Sequence, residues 1–378
     1  MRRTPPNART LAGVLVFALM ALLAGCAAPP QTRALLDAPT ATGLPMTAEL
    51  ADVPYYAQEV HQCGPATLAM ALNAAGAQTT PEQLVPQVYL PGREGSLQVE
   101  MLAATRRQGL LAYTLSPQLN DVLAEIAHGR PVVVLQNLAF NWYPRWHYAV
   151  AIGYDLSART ITLRSGPDSR QLLPLSTFEY TWARSDRWAI MALPPDYIPV
   201  TATPENFLNA ALALETTGQP AAARQAYRAA AARWPQQFGA LIGLGNTSYA
   251  ARDYIEAEQA FRRATRLRSD DAVAHNNLAD TLMQRGELDA ALRFAETAVW
   301  LGGDKQPTYR QTLDEIKARI AQRPKPAPAA RLAPPPKKTM APARASKKPA
   351  APAKSKRPVE KRKKPAAKTK KPTQTTST

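Results

Sequence analysis

Gln62-Cys63-Gly64-Pro65-Ala66-Thr67-Leu68-Ala69-Met70 decides the reading of this chain. From Ala66 to Ala75 the residues are small and apolar with a helical pattern, and Gly76 stands where such a helix would end. Cys63 therefore sits at the mouth of a helix. The free N–H groups and partial positive charge there favour a thiolate over a thiol. Gly64 lets backbone come close to a reacting carbonyl, and Pro65 gives up no helical hydrogen bond in a first turn. Gln58 and Gln62, five residues and one residue earlier, each carry an amide able to donate to an oxyanion.

Outward from this segment the pattern changes once. Thr80-Pro81-Glu82-Gln83 has the N-cap, the proline and the glutamine of a capping box, so a second helix starts there. Leu97–Gln108 reads as a third helix closed by Gly109. Pro131-Val132-Val133-Val134-Leu135 is a buried-type strand, and His147–Tyr154 and Thr160–Arg164 read as two strands joined through Asp155-Leu156-Ser157-Ala158. Helices first and antiparallel strands after predict an α+β domain.

A nucleophilic cysteine needs a base, and the chain has four histidines. His275 lies in a helical region and reads as a packing or solvated residue. His128 precedes Gly129-Arg130-Pro131 at a helix end, which fits a cap. His61 is two residues from Cys63 and reads as a rim residue. His147 opens a strand of alternating apolar residues, which would hold an imidazole rigidly, and is the expected base.

Residues from about Asp52 to Pro195 resemble the papain-like peptidases that clip double-glycine leaders from bacteriocin precursors, and their stand-alone bacterial relatives. The resemblance is carried by Val53-Pro54-Tyr55-Tyr56-Ala57-Gln58, Gln62-Cys63-Gly64-Pro65-Ala66, Gly129-Arg130-Pro131-Val132-Val133-Val134 and His147-Tyr148-Ala149-Val150-Ala151-Ile152-Gly153-Tyr154. It implies Cys63 as nucleophile, His147 as base and Gln58 as oxyanion donor, with no metal or cofactor. The family's leader peptidases carry an Asp-Pro pair on the strand after the histidine strand. Here Ser165-Gly166 stands in that place, with Asp168 three residues on, and either Ser165 or Asp168 would orient the imidazole. The loop Phe140-Asn141-Trp142-Tyr143-Pro144-Arg145-Trp146 reads equally as the wall of a groove for an extended apolar peptide or as packing over a sheet edge.

The chain repeats itself at a shift of 34 residues. Ala211, Gly245 and Ala279 share one register, Ala223, Ala257 and Ala291 another, and Ala230, Ala264 and Ala298 a third, with Tyr227, Phe261 and Ala295 between the last two. Gly218, Arg252 and Gly286 fall in the inter-helix turns. The pattern resembles the tetratricopeptide repeat, three units over roughly 203–304 with a closing helix at Thr308–Ala321, and implies a surface for a protein partner. A spacer or dimerisation module is the plainer alternative.

Charge separates the ends from the middle. The net charge is +17, yet 18 of the 46 Lys/Arg and only one of the 29 acidic residues lie in 323–378, so the rest of the chain is neutral. The Lys/Pro/Ala-rich tail reads as extended and solvated, with attraction to anionic envelope polymer as a further role. At the other end, Arg2, Arg3 and Arg9 precede an apolar run from Leu11 to Ala24 that closes in Leu23-Ala24-Gly25-Cys26. This ending resembles the bacterial lipobox, which implies acylation of Cys26, export and a lipid anchor, with the outer membrane favoured because Asp is absent from position 27. Nucleic acid is not an expected partner of an exported chain. With Cys26 acylated, Cys63 would be the one thiol left, which marks it as reactive.

The expected organisation is a signal peptide at 1–26, a tether at 27–48, a papain-like cysteine peptidase domain at 49–198, tetratricopeptide repeats with their closing helix at 203–322 and a tail at 323–378. The expected function is a membrane-anchored cysteine endopeptidase of the cell envelope, acting on peptide or protein substrates and binding a protein partner through its repeats. Two alternatives stand beside it: a peptide-binding scaffold with weak catalysis, and a Cys/His amidase acting on cell-wall peptide.

Overall fold

The computed structural model describes residues 28–38, 42–58 and 62–323, so Cys26, His61 and the basic tail from 324 onward lie outside the described residues. The α+β expectation holds. Strands β1 (Thr47–Glu49), β4 (Leu111–Thr114), β5 (Val132–Asn137), β6 (Trp146–Asp155), β7 (Thr160–Ser165), β8 (Asp168–Pro174) and β9 (Ala189–Leu193) make one sheet in the order β4-β9-β5-β6-β7-β8. Every pairing is antiparallel, and β1 lies on β6 beyond the start of β5. A two-stranded ribbon, β2 (Tyr89–Leu90) with β3 (Gly95–Ser96), stands apart. All six residues of β5 are buried, as its unbroken apolar run requires of a strand covered on both faces.

The covers differ. One face, with Val133, Leu135, Tyr148, Ile190 and Ala192, packs on α2 (Cys63–Ala74), α3 (Pro81–Val88) and α4 (Gln98–Arg107). The other, with Val132, Val134, Ala149 and Ala151, meets α5 (Leu119–Ala127) and α6 (Leu175–Ala183). Helix α2 begins at Cys63, three residues earlier than its apolar run suggests, because Pro65 falls within the first turn, where no N–H is needed. At α3 the Thr80 N–H donates to Gln83 Oε1, one half of the expected capping box.

The tether at 27–48 is not what the structure contains. Pro30–Asp37 forms helix α1, docked against α5 and α6, and Thr47–Glu49 is strand β1. Glu179 on α6 holds the start of α1: its carboxylate accepts from the N–H of Gln31 at 3.1 Å, the N–H of Thr32 at 2.5 Å and the Thr32 hydroxyl at 2.7 Å. A negative group at a helix N-terminus satisfies its free donors, and this one is supplied from far along the chain. Glu179→Ala should therefore free α1 while the sheet stays intact. Hydrogen exchange should show residues 30–37 losing protection and 132–137 keeping it.

Three helical pairs follow: α7 (Pro204–Thr216) with α8 (Pro220–Arg233), α9 (Phe238–Ala250) with α10 (Tyr254–Leu267), and α11 (Ala272–Gln284) with α12 (Leu288–Leu301). Helix α13 (Gln306–Ala321) closes the array. The registers of small residues mark close approaches. A Cβ on Gly245 would stand 2.3 Å from the Phe261 ring, and one on Gly243 2.5 Å from that of Tyr227. Gly245→Ala should cost about 1–3 kcal/mol through overpacking, read as a lower midpoint in denaturant. Gly218, Arg252 and Gly286 all have positive φ, as the turn positions demand.

Repeats and sheet domain were expected as separate units. Instead one apolar core runs from Leu111, Tyr113 and Leu193 of the sheet into Phe207, Ala210 and Leu214 of α7 and on to Tyr227 and Leu244. Polar contacts reinforce it. Glu125 on α5 accepts from the N–H of Thr201 at 2.9 Å and its hydroxyl at 2.7 Å, and the Arg130 guanidinium lies 3.9 Å from the centre of the Tyr197 ring. Leu111 and Tyr113 on the edge strand β4 and Leu193 on its neighbour β9 are apolar on the face that α7 covers, so the sheet is complete only with the first repeat in place.

Candidate active site

The antiparallel order brings five chain segments to one end of the sheet. There β5 ends and β6 begins, β7 ends and β8 begins, and α2 starts against them. Cys63 is half-buried at the start of α2. The backbone N–H groups of Tyr148, Gly64 and Cys63 itself lie against its sulfur. Gly64 is obligatory here, since a Cβ would overlap the Ser96 side chain.

His147 is the second residue of β6, paired across the sheet with Gln136. Its Nε2 lies 2.8 Å from the hydroxyl oxygen of Ser165, a buried residue at the end of β7. Ser165 thus engages Nε2 and leaves Nδ1 on the other side of the ring. Asp168, the other candidate for this position, begins β8 opposite Ser165 and is exposed, and Ser165 is the residue that reaches the imidazole. A hydroxyl orients the ring but does not stabilise an imidazolium as a carboxylate does.

Gln58 is the tie between these parts. Its Nε2 donates to Thr67 Oγ1 at 3.1 Å and to the Tyr148 carbonyl at 3.4 Å, and its Oε1 accepts from the N–H of Gly166 at 3.0 Å. One side chain thus binds helix α2, strand β6 and the turn beyond Ser165. Thr67, Tyr148 and Gly166 were not singled out from sequence. Thr67 carries a legible signal, because it stands four residues after Cys63 on the same helical face.

The electrostatics correct one expectation. Burial pushes the Cys63 thiol up, against the lowering effect of the surrounding N–H groups. Burial also pulls the His147 imidazole down, and the positive charge of Arg145 adds to this. Both shifts favour the neutral pair, thiol with imidazole, over the thiolate expected from the helix end, because desolvation penalises each charged form. Beside the start of α2 lies a cleft of about 550 Å³ whose lining includes Tyr55, Tyr56, Gln62, Ala66, Glu82 and Val85. His128 caps α5, its Nδ1 lying 2.8 Å from the Ala124 carbonyl, and His275 is buried in the repeats with Nε2 3.0 Å from the Ser269 carbonyl. Among the described residues no group of three or more His, Cys, Asp or Glu is placed to hold a metal.

Residues 50–190 match the Peptidase_C39 like family, over the segment that carries this site. This domain is peptidase C39-like. Residues 208–272 and 242–309 match the tetratricopeptide repeat, a module for protein–protein interaction. Among solved structures, a Bacillus anthracis protein described as a C39-like peptidase is 19% identical, with 39% of this chain and 97% of that one covered and a TM-score of 0.32. The type III secretion translocator chaperone SycD of Yersinia enterocolitica is 20% identical over 31% of this chain and 85% of its own, with a TM-score of 0.30. No curated protein matches. The C39-like domain thus holds Cys63, His147, Ser165 and Gln58, and the repeats begin where its sheet is covered by α7.

Proposed function

We propose that the protein is a cysteine endopeptidase of the bacterial cell envelope, anchored through acylated Cys26, whose repeats recruit a substrate or partner. The observation that carries the catalytic part is the 2.8 Å contact of His147 Nε2 with Ser165, on a strand whose next N–H, that of Tyr148, lies against the Cys63 sulfur. In this reading Cys63 attacks the amide carbon as its proton passes to His147 Nδ1. The imidazolium then protonates the leaving amine as the C–N bond breaks, and a water molecule, deprotonated by His147, hydrolyses the thioester. The Cys63 N–H and one Gln58 N–H stabilise the oxyanion, the latter after exchanging its Thr67 contact for the substrate oxygen. The basic tail, outside the described residues, is proposed to add attraction to anionic envelope polymer.

The neutral pair sets the pH dependence. Activity requires unprotonated His147, so the acid limb of kcat/KM should lie below the ordinary imidazole value of 6.5. Arg145→Ala removes a charge that disfavours imidazolium, so it should move that limb to higher pH. A limb that stays fixed would exclude Arg145 from the field at the site.

A scaffold that binds peptide without cutting it is favoured by the raised Cys63 thiol and by the engagement of both ends of the Gln58 amide. Comparing periplasmic peptides from wild-type cells and Cys63→Ala cells by mass spectrometry separates the readings. Peptides that vanish in the variant support the peptidase, and identical profiles support the scaffold. Purified cell wall offered in place of unfolded protein tests the amidase alternative.

A further inference from the structure

The loop between β5 and β6 is neither floppy nor packed over the sheet edge. Asn137 Oδ1 accepts from the N–H groups of Ala139 at 3.1 Å and Arg145 at 2.9 Å, and the Leu138 N–H donates to the Arg145 carbonyl. The Tyr143 N–H closes the tip on the Phe140 carbonyl. Arg184, at the end of α6, braces the base by donating to the Ala139 carbonyl at 2.8 Å. This fixed hairpin presents its apolar residues to solvent: Trp142 is 82% exposed, Tyr143 71%, Phe140 61% and Trp146 53%. Phe140 and Trp142 stack with centroids 5.6 Å apart and planes within 8°. From Leu138 to His147 there is a cation, Arg145, and no carboxylate.

The position of the described N-terminus bears on what covers these rings. Gln31 at the start of α1 donates to the Pro117 carbonyl and accepts from the Leu119 N–H, just past the end of β4. Because β4 and β5 both run antiparallel to β9, the end of β4 and the end of β5 lie at the same edge of the sheet. Thr114 and Val133 both pair with Ile190, so two strand spacings and four residues of stagger separate those ends, about 16 Å. Ala28 is described and Cys26 is two residues before it, a span of at most about 7 Å. With the expected tether folded into α1, the described chain starts on the domain itself, two residues after the expected acylation site.

We infer that the β5–β6 hairpin is a bilayer-contacting element: Leu138, Phe140, Trp142, Tyr143 and Trp146 settle among phospholipid headgroups beside the acyl chains of Cys26. This rests on the lipid-anchor reading for its orientation. The chemistry fits: Trp and Tyr rings partition to the headgroup level, where one edge is apolar and the other wet, and Arg145 suits anionic headgroups. A second apolar contact also converts a swivelling anchor into a fixed stance. The 550 Å³ cleft is lined by other residues, so the hairpin is free to serve the bilayer.

The test uses the full mature chain with Cys26→Ser, so that no acyl chain contributes, and vesicles of phosphatidylethanolamine and phosphatidylglycerol carrying brominated acyl chains. High salt screens the basic tail. Bromine should quench tryptophan emission, and Trp142→Phe should remove most of that quenching. A Phe140→Ser, Trp142→Ser, Tyr143→Ser triple variant should partition at least about tenfold more weakly, with an unchanged circular dichroism spectrum. Absence of quenching in the parent chain overturns the inference, as does quenching that the triple variant retains. Unaltered partitioning with a raised KM for an apolar peptide also overturns it and makes the hairpin a substrate platform. Lipid labelling of wild-type cells is read separately: an unlabelled Cys26 with intact quenching sinks the anchor alone, and a labelled Cys26 without quenching sinks the hairpin alone.

Discussion

His147→Ala should lower kcat/KM for peptide cleavage by about a thousandfold, and Cys63→Ala should leave none measurable. Burial raises the thiol and depresses the imidazole, and both directions favour the neutral pair. In the proposed mechanism proton transfer accompanies attack, and removing the acceptor would remove the whole general-base contribution, about 10²–10⁴-fold. Ser165→Ala leaves the acceptor but frees the ring, so the loss should be smaller, on the order of tenfold. Ser165→Asp is the more telling variant. A carboxylate in place of the hydroxyl that lies 2.8 Å from Nε2 would stabilise the imidazolium, raise the His147 pKa and carry the acid limb of the pH profile upward. It should also make Cys63 alkylate faster near neutral pH, because the neighbouring positive charge then favours the thiolate. A steady-state pH profile and an iodoacetamide rate for each variant check all four outcomes. Cleavage that survives Cys63→Ala at wild-type rate would end the peptidase reading.

Trp182→Ala should cost about 3–5 kcal/mol, a large share of the stability of a typical domain. Trp182 is fully buried, stacks on Phe178 with centroids 5.6 Å apart, and donates from Nε1 to the Trp188 carbonyl at 2.9 Å. Truncation leaves a cavity and takes one of two donors from the Trp188 carbonyl, which keeps only the Leu135 N–H. It also loosens the turn between α6 and β9, in which the Ser185 hydroxyl donates to the Leu135 carbonyl. Chemical denaturation measures the loss, and Trp182→Phe should recover about half of it by refilling most of the volume. Equal midpoints for Trp182→Ala and the parent would show that the surrounding core does not depend on this side chain.

Much of the fold is legible in local sequence, and the exceptions share a cause. The 34-residue period gives all three helical pairs, because each small residue must meet a large one on its neighbour, as Gly245 meets Phe261. The strand at 132–135 and the helix after Cys63 announce themselves by unbroken apolar runs. Helix α1 does not: Pro30-Gln31-Thr32-Arg33-Ala34 is short and polar, and its N-terminal donors are satisfied by Glu179, 147 positions from Thr32. In the site, Cys63 and His147 are legible because residue type and flanking pattern suffice. The choice between Ser165 and Asp168 depends on the β7–β8 pairing, and the protonation of the pair depends on depth of burial. Neither is written in any local pattern.

The continuous core from β4 and β9 into α7 has a consequence for how far the two halves of the molecule move independently. A flexible hinge would let the repeats sweep a held chain past Cys63 in any phase. Under the proposed function a fused joint would make the array behave as a measuring rod, with a fixed number of residues between the point where a partner is gripped and the point presented to the sulfur. Scission sites would then be chosen by counting along the chain as much as by the side chains around the bond.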